Sequence, residues 1–136
     1  MAKLIETVTV PNREFTDYRE KGLQFFRVMK TCLQDSEWDA VFLNGVHAAI
    51  TLSDALAVFR LGKRSKGKSH QDATVLLGQI VSQEEEGKRY AARLSAILNW
   101  KNEAEYDSRR FTEQEAYRFA QSVERFMEWI QKQLPS

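Results

Sequence analysis

Hydrophobic positions fall into a helical rhythm along most of the chain, most densely from Trp38 to Phe59. Val41, Ala48, Leu52, Ala55 and Phe59 define one flank there, and Trp38, Phe42, Ala49 and Leu56 another, at spacings of three, four or seven residues. Such spacing stacks side chains on one face of a helix. Between Asp39 and Asp54 no residue is charged unless His47 is protonated. A helix apolar over most of its surface belongs in the middle of a bundle, and Gly45 with its neighbouring alanines lets adjacent elements come close. A third stripe, Asn44, His47, Thr51 and Asp54, is polar. It predicts a solvated or hydrogen-bonded seam, or a small polar pocket. The same residues make the stretch a poor membrane span, so no membrane partner is expected.

The remaining pattern supplies the neighbours of this helix. Leu4 to Val10 alternates threonine with aliphatics and reads as an extended arm over residues 1–11, closed by Pro11. A first helix starts near Thr16, a candidate N-cap, with Tyr18, Gly22, Phe25, Phe26, Met29 and Leu33 on its apolar stripe. After a turn at Gln34 to Glu37, Ser36 and Asp39 resemble a capping box for the central helix, which runs to about Leu61. Gly62 to Ser69 reads as a loop. Ser69 and Asp72 then start a short helix carrying Ala73, Leu76, Leu77 and Ile80. Ser82 caps a fourth helix with Glu84, Glu85 and Glu86 at its electropositive end, which continues through Tyr90, Leu94, Ile97, Leu98 and Trp100 to about Glu105. Thr112 and Glu115 form a full capping box. The last helix carries Ala116, Phe119, Ala120, Val123, Phe126, Met127 and Ile130 until Pro135. The expectation is one all-α domain over residues 1–136, an up-and-down antiparallel bundle of four long helices plus one short helix. The last helix is apolar over a wide arc that includes Trp129, which suits either a homodimer face or deep packing.

Charge and cysteine usage narrow the chemistry. A net charge of +1 gives no bulk field for nucleic acid, so any such function must rest on a local patch. One cysteine, Cys32, and two histidines, His47 and His70, exclude an intramolecular disulfide and disfavour a classical zinc site, so no metal or cofactor is expected. Lys3 and Glu6 interrupt the first apolar run, so no signal peptide is expected and a cytoplasmic location is the default.

The local patch is present. Arg60, Lys63, Arg64, Lys66 and Lys68 crowd around two glycines, as a solvated basic turn or a contact for backbone phosphates. It is not a P-loop: the Gly-Lys-Ser at 67–69 lacks the first glycine at the required place, and no parallel-strand pattern precedes it. Arg109 and Arg110 add cations at the last turn, as internal ion pairs or as part of the same footprint.

The stretch Leu98 to Ala116, with Lys101-Asn-Glu-Ala-Glu-Tyr106 at its centre, resembles the C-terminal half of HEPN-type domains. The loop Gly62 to His70, preceded by Asp54-Ala-Leu, resembles the uncharacterised branch of that family. The resemblance implies a small helical bundle, often dimeric, from prokaryotic toxin–antitoxin, defence or RNA-processing systems. It also implies metal-independent endoribonuclease chemistry, in which a ribose 2′-hydroxyl attacks the adjacent phosphate. Active members carry an arginine, a following polar residue and a histidine before the last helix. Lys101, Asn102 and Tyr106 stand there, lysine replacing arginine and tyrosine replacing histidine. A lysine offers a point charge without the planar fork, and a phenol is a weaker base than imidazole at neutral pH. A literal arginine–histidine pair, Arg64 and His70, flanks the basic loop instead. The partners implied are RNA or a nucleotide, a second copy of the chain, and a nucleotidyltransferase-like protein. Two rival expectations are a non-catalytic interaction module and a small-molecule pocket lined by Asn44, His47, Thr51 and Asp54.

Overall fold

The computed structural model describes residues 5–67 and 69–136. Its elements are β1 (Thr7–Thr9), a 3-10 turn at Asn12–Glu14, α1 (Phe15–Gln34), α2 (Trp38–Leu61), β2 (Lys63–Ser65), α3 (Gln71–Ile80), α4 (Glu85–Leu98), α5 (Lys101–Glu105) and α6 (Glu113–Gln133). The fold is all-α apart from one small sheet. α2 is the hub, packed most extensively on α1 and then on α6, with α3, α4 and α5 also against it. By length and apolarity α2 is the one helix among the described residues that could cross a membrane, but 67% of its apolar window is buried inside the protein. Its apolarity is therefore used by the core: Val41, Phe42, Val46, Ala48, Ala49, Leu52, Ala55 and Leu56 are all buried.

Gly45 shows how tightly that core is built. A Cβ there would lie 2.4 Å from Phe119 Cε2 and 3.0 Å from Met29 Sδ, because the Phe119 ring lies directly over the α2 backbone. Alanine at this position gains about 1 kcal/mol of helix propensity but overpacks a buried ring. We expect Gly45→Ala to destabilise the protein by a net ~1–3 kcal/mol, read as a lower denaturant midpoint at unchanged slope. A midpoint at or above wild type would show that Phe119 can move aside.

Four expectations need correction. The basic segment is not all loop: Lys63–Ser65 is a strand, antiparallel to the arm, with Thr7 opposite Ser65, Val8 opposite Arg64 and Thr9 opposite Lys63. The left-handed Gly62 (φ 67) ends α2 and turns the chain back onto the arm, and Val10 N–H donates to its carbonyl at 2.9 Å. Asn12 fastens the corner by donating to the carbonyls of Val58 and Phe59, each at 3.0 Å. Secondly, Ser36 and Asp39 form no capping box. Glu37 is the N-cap of α2 and makes no side-chain cap bond, while Ser36 takes a left-handed turn. Asp39 instead accepts the Phe111 N–H at 2.8 Å and pairs with Arg110, which fastens the start of α2 to the last connection.

Thirdly, the other two suggested caps differ. α1 begins at Phe15 after the 3-10 turn, and Thr16 Oγ1 donates backwards to the Arg13 carbonyl. Glu84 rather than Ser82 precedes α4. Finally, the expected long fourth helix is two pieces, α4 and α5. The chain tightens where Trp100 N–H donates to the Ile97 carbonyl, and this drives the Trp100 ring edge-on against Phe42 and Phe111. The Thr112 capping box does form, with Glu115 N–H donating to Thr112 Oγ1 at 3.2 Å and Thr112 N–H to Glu115 Oε1 at 3.0 Å. Trp129 is 4% exposed and stacked on Tyr90. Deep packing therefore accounts for the wide apolar arc of α6.

Candidate functional site

Where α2, α5 and the start of α3 meet, polar side chains gather that the sequence holds far apart. Lys101 and Glu105 sit one turn apart on α5, with Nζ 2.9 Å from Oε2. Glu105 Oε1 lies 3.4 Å from His47 Nε2 on α2, so one carboxylate spans two elements. The Lys101 hydrogen bond holds the Glu105 carboxyl below its ordinary range; partial burial opposes this, and Tyr106 and the nearby charges of Lys101 and His47 assist it. With side-chain exposures of 15% and 16%, Lys101 and Glu105 are more shielded than an ordinary surface pair, and the attraction between them is screened less.

His70 stands at the entry to α3. Its Nδ1 is buried and has no hydrogen-bond partner among the described residues. Burial pushes its pKa below the ordinary histidine value; the charges of Lys101 and His47 push the same way, and Glu105 pulls back. Burial and the nearby cations both favour the neutral ring over the imidazolium. Its position is fixed by a neighbour: Gln71 donates to Asn99 Oδ1 at 2.9 Å and accepts from Ser95 Oγ at 3.1 Å, which pins the start of α3 to the end of α4.

His70 and Ser69 form a wall common to two cavities. On one side is a cleft of about 370 Å³, bounded also by Gln71, Asn99, Lys101 and Asn102. On the other is a small cavity of about 60 Å³ lined by Asp54, Arg64 and Ser65 among others. Arg64 is held there by donating from Nε to the Tyr18 hydroxyl at 3.1 Å and from Nη1 to the Ser65 carbonyl at 3.0 Å. Burial pushes the Asp54 carboxyl up to about 7, against the pull of Arg64.

The three sets of candidates thus converge in part. His47 and Asp54 from the polar stripe, the pair Arg64 and His70, and Lys101 with Asn102 all line or border one seam. Tyr106 lies at its outer rim, 76% exposed, in an open concavity with Asn102, Asp107 and Ser108. The Lys101 ammonium sits 5.1 Å from the centre of its ring. Asn44 donates to the Ala40 carbonyl in its own helix at 2.9 Å. Thr51 is half-buried on the same face.

The other cations disperse. Arg60 reaches Gln133 on α6, and Lys66 pairs with Glu6 at 3.6 Å. Lys63 is half-buried on β2, and Lys68 lies outside the described residues. Arg109 lies between Glu103 and Glu115 with its guanidinium over the Phe111 ring, and Arg110 pairs with Asp39. These two arginines brace the last turn.

Sequence reasoning assigned Glu105 and Gln71 no part in a site. The only signal for Glu105 was its spacing of four from Lys101, which ordinary helix pairs share, and nothing in the sequence indicated His47 as its second partner. Compared with protein-family models and with curated proteins, the chain matches none.

Proposed function

We propose that the chain is a HEPN-like RNA- or nucleotide-binding protein of prokaryotic defence, toxin–antitoxin or RNA-processing type, with the seam around His70 as a metal-independent endoribonuclease site. The observation that carries this reading is His70 itself: an imidazole with a buried, unpartnered Nδ1, across one cleft from Lys101 and Asn102 and beside Arg64 on its other side. That set matches what phosphoryl transfer from a ribonucleotide needs. Lys101 holds the phosphate as a point charge, Asn102 orients it, and His70 accepts the 2′-hydroxyl proton as the 2′-oxygen–phosphorus bond forms. The bond from phosphorus to the 5′-oxygen breaks, leaving a 2′,3′-cyclic phosphate. The departing oxygen takes a proton at the rim, where the Tyr106 phenol meets solvent.

A second reading has its own observation. Lys101 is already neutralised by Glu105, which suits a non-catalytic module that serves a protein partner such as a nucleotidyltransferase-like protein. Incubation with labelled single-stranded RNA in EDTA, at low and moderate salt, separates the two. The nuclease reading predicts cleavage that survives EDTA and is lost in Lys101→Ala. Intact RNA with no salt-sensitive binding removes it in favour of the module.

A further inference from the structure

Beside the seam stands one exposed aromatic ring, Phe25, for which the proposed chemistry has no use. Phe25 on α1 is 36% exposed, while its neighbour Phe26 packs on the core. The Phe25 ring lies 5.5 Å from that of His47, at an interplanar angle of 31°. His47 is tied in turn through Glu105 to Lys101, and Lys101 lies over the exposed ring of Tyr106. Exposed rings therefore stand at the two ends of one chain of contacts that passes through Lys101.

A ligand that fits such a row has flat π-faces with an anion between them. A phenylalanine left partly in water gains by taking a flat apolar partner, and base–aromatic stacking needs no particular sequence because every base offers a π-face. The central cation matches the intervening phosphate, which exchanges for the Glu105 oxygen at Lys101. Paired bases in a duplex keep their faces covered, and RNA recognition through aromatic side chains targets unstacked bases.

We propose that Phe25 and His47 form a stacking subsite for one base of single-stranded RNA, with Tyr106 receiving a base on the other side of the phosphate held at Lys101. This rests on the assignment of Lys101 to phosphate. The subsite selects a single strand over a duplex, and a base-bearing ligand over inorganic phosphate.

The test uses the full chain and a 2′-O-methyl single-stranded oligonucleotide, which cannot be cleaved by 2′-attack, carrying 2-aminopurine. Wild type quenches the probe on binding. Phe25→Ala weakens binding about 5- to 100-fold and removes the quenching, with the salt dependence unchanged because no phosphate contact is lost. Phe25→Leu, which keeps apolar volume without a ring, behaves like the alanine variant, and Phe25→Trp restores binding. Lys101→Ala weakens binding and lowers the salt slope by about one.

If Phe25→Leu binds like wild type while Lys101→Ala is weakened, the phosphate assignment stands and the stacking subsite is overturned. If Phe25→Ala leaves binding unchanged but dissociates a dimer in sedimentation, the ring belongs to a contact between copies, and the subsite is again overturned. Absence of any oligonucleotide binding by wild type removes the RNA reading and the subsite with it.

Discussion

Replacing His70 with alanine is expected to lower EDTA-resistant RNA cleavage by ~10²–10⁴-fold, the usual contribution of a positioned general base, with little change in RNA affinity. Binding survives because the phosphate contact belongs to Lys101, whereas proton transfer has no substitute at the shared wall of the two cavities. The pH profile carries the same assignment. A base works when unprotonated, so the rate rises with pH as His70 loses its proton. Its depressed pKa puts the inflection of that rise below the ordinary histidine value of about 6.5. Lys101 is one cause of that depression, so Lys101→Ala moves the His70 pKa upward. Glu105 pulls the other way, so Glu105→Gln moves it downward. Proton NMR titration of the His70 ring reads both shifts without any RNA, which separates the electrostatics from the catalysis. Full activity in His70→Ala would return the catalytic role to Tyr106, and Tyr106→Phe would then have to abolish cleavage.

Features of the site visible in the sequence were those written into a single segment. The Thr112 capping box is complete within four residues, and the structure contains it. The helical rhythm of α2 comes from side-chain spacing alone, and its apolar flanks are buried apart from the half-buried Trp38 and Phe59 at its ends. The Lys101–Glu105 pair is one turn of one helix. Features that depend on a second segment were not legible. Lys63–Ser65 becomes a strand only because the arm is there to pair with it, and its own composition reads as a turn. Asp39 has the right spacing for a capping box, yet a distant N–H and guanidinium compete for its carboxylate and win. The break before α5 follows from where Phe42 and Phe111 can receive an indole. The candidate residues were individually visible for the same reason, whereas their convergence on His70 was not. That convergence is a tertiary property of α2, α3 and α5, fixed by contacts such as Gln71 with Asn99.

Asp54→Asn is expected to stabilise the protein, and only at high pH. Burial raises the Asp54 carboxyl in the folded state to about 7 from an ordinary 3.8, so the folded chain holds a proton that the unfolded chain gives up. A group raised in this way contributes stability fully below its unfolded pKa and loses that contribution as pH rises through its folded value. Wild type and Asp54→Asn should therefore change together below pH ~4 and separate from there to about pH 7. Above about pH 8 the asparagine variant is favoured by up to about 4 kcal/mol, the equivalent of about three pH units at 1.36 kcal/mol each. Denaturant midpoints at about pH 4 and pH 8.5 measure the separation, and an equal gap at both would refute the burial account. Arg64 already pulls the carboxyl down, so Arg64→Met should widen the alkaline gap by removing the cation that offsets burial. An acid buried where its charge is unfavourable is a candidate for a use other than stability. Asp54 shares its small cavity with His70, so the informative case is a stabilised Asp54→Asn variant that has lost RNA cleavage. Stabilisation with full activity would instead mark Asp54 as a tolerated burden on the fold.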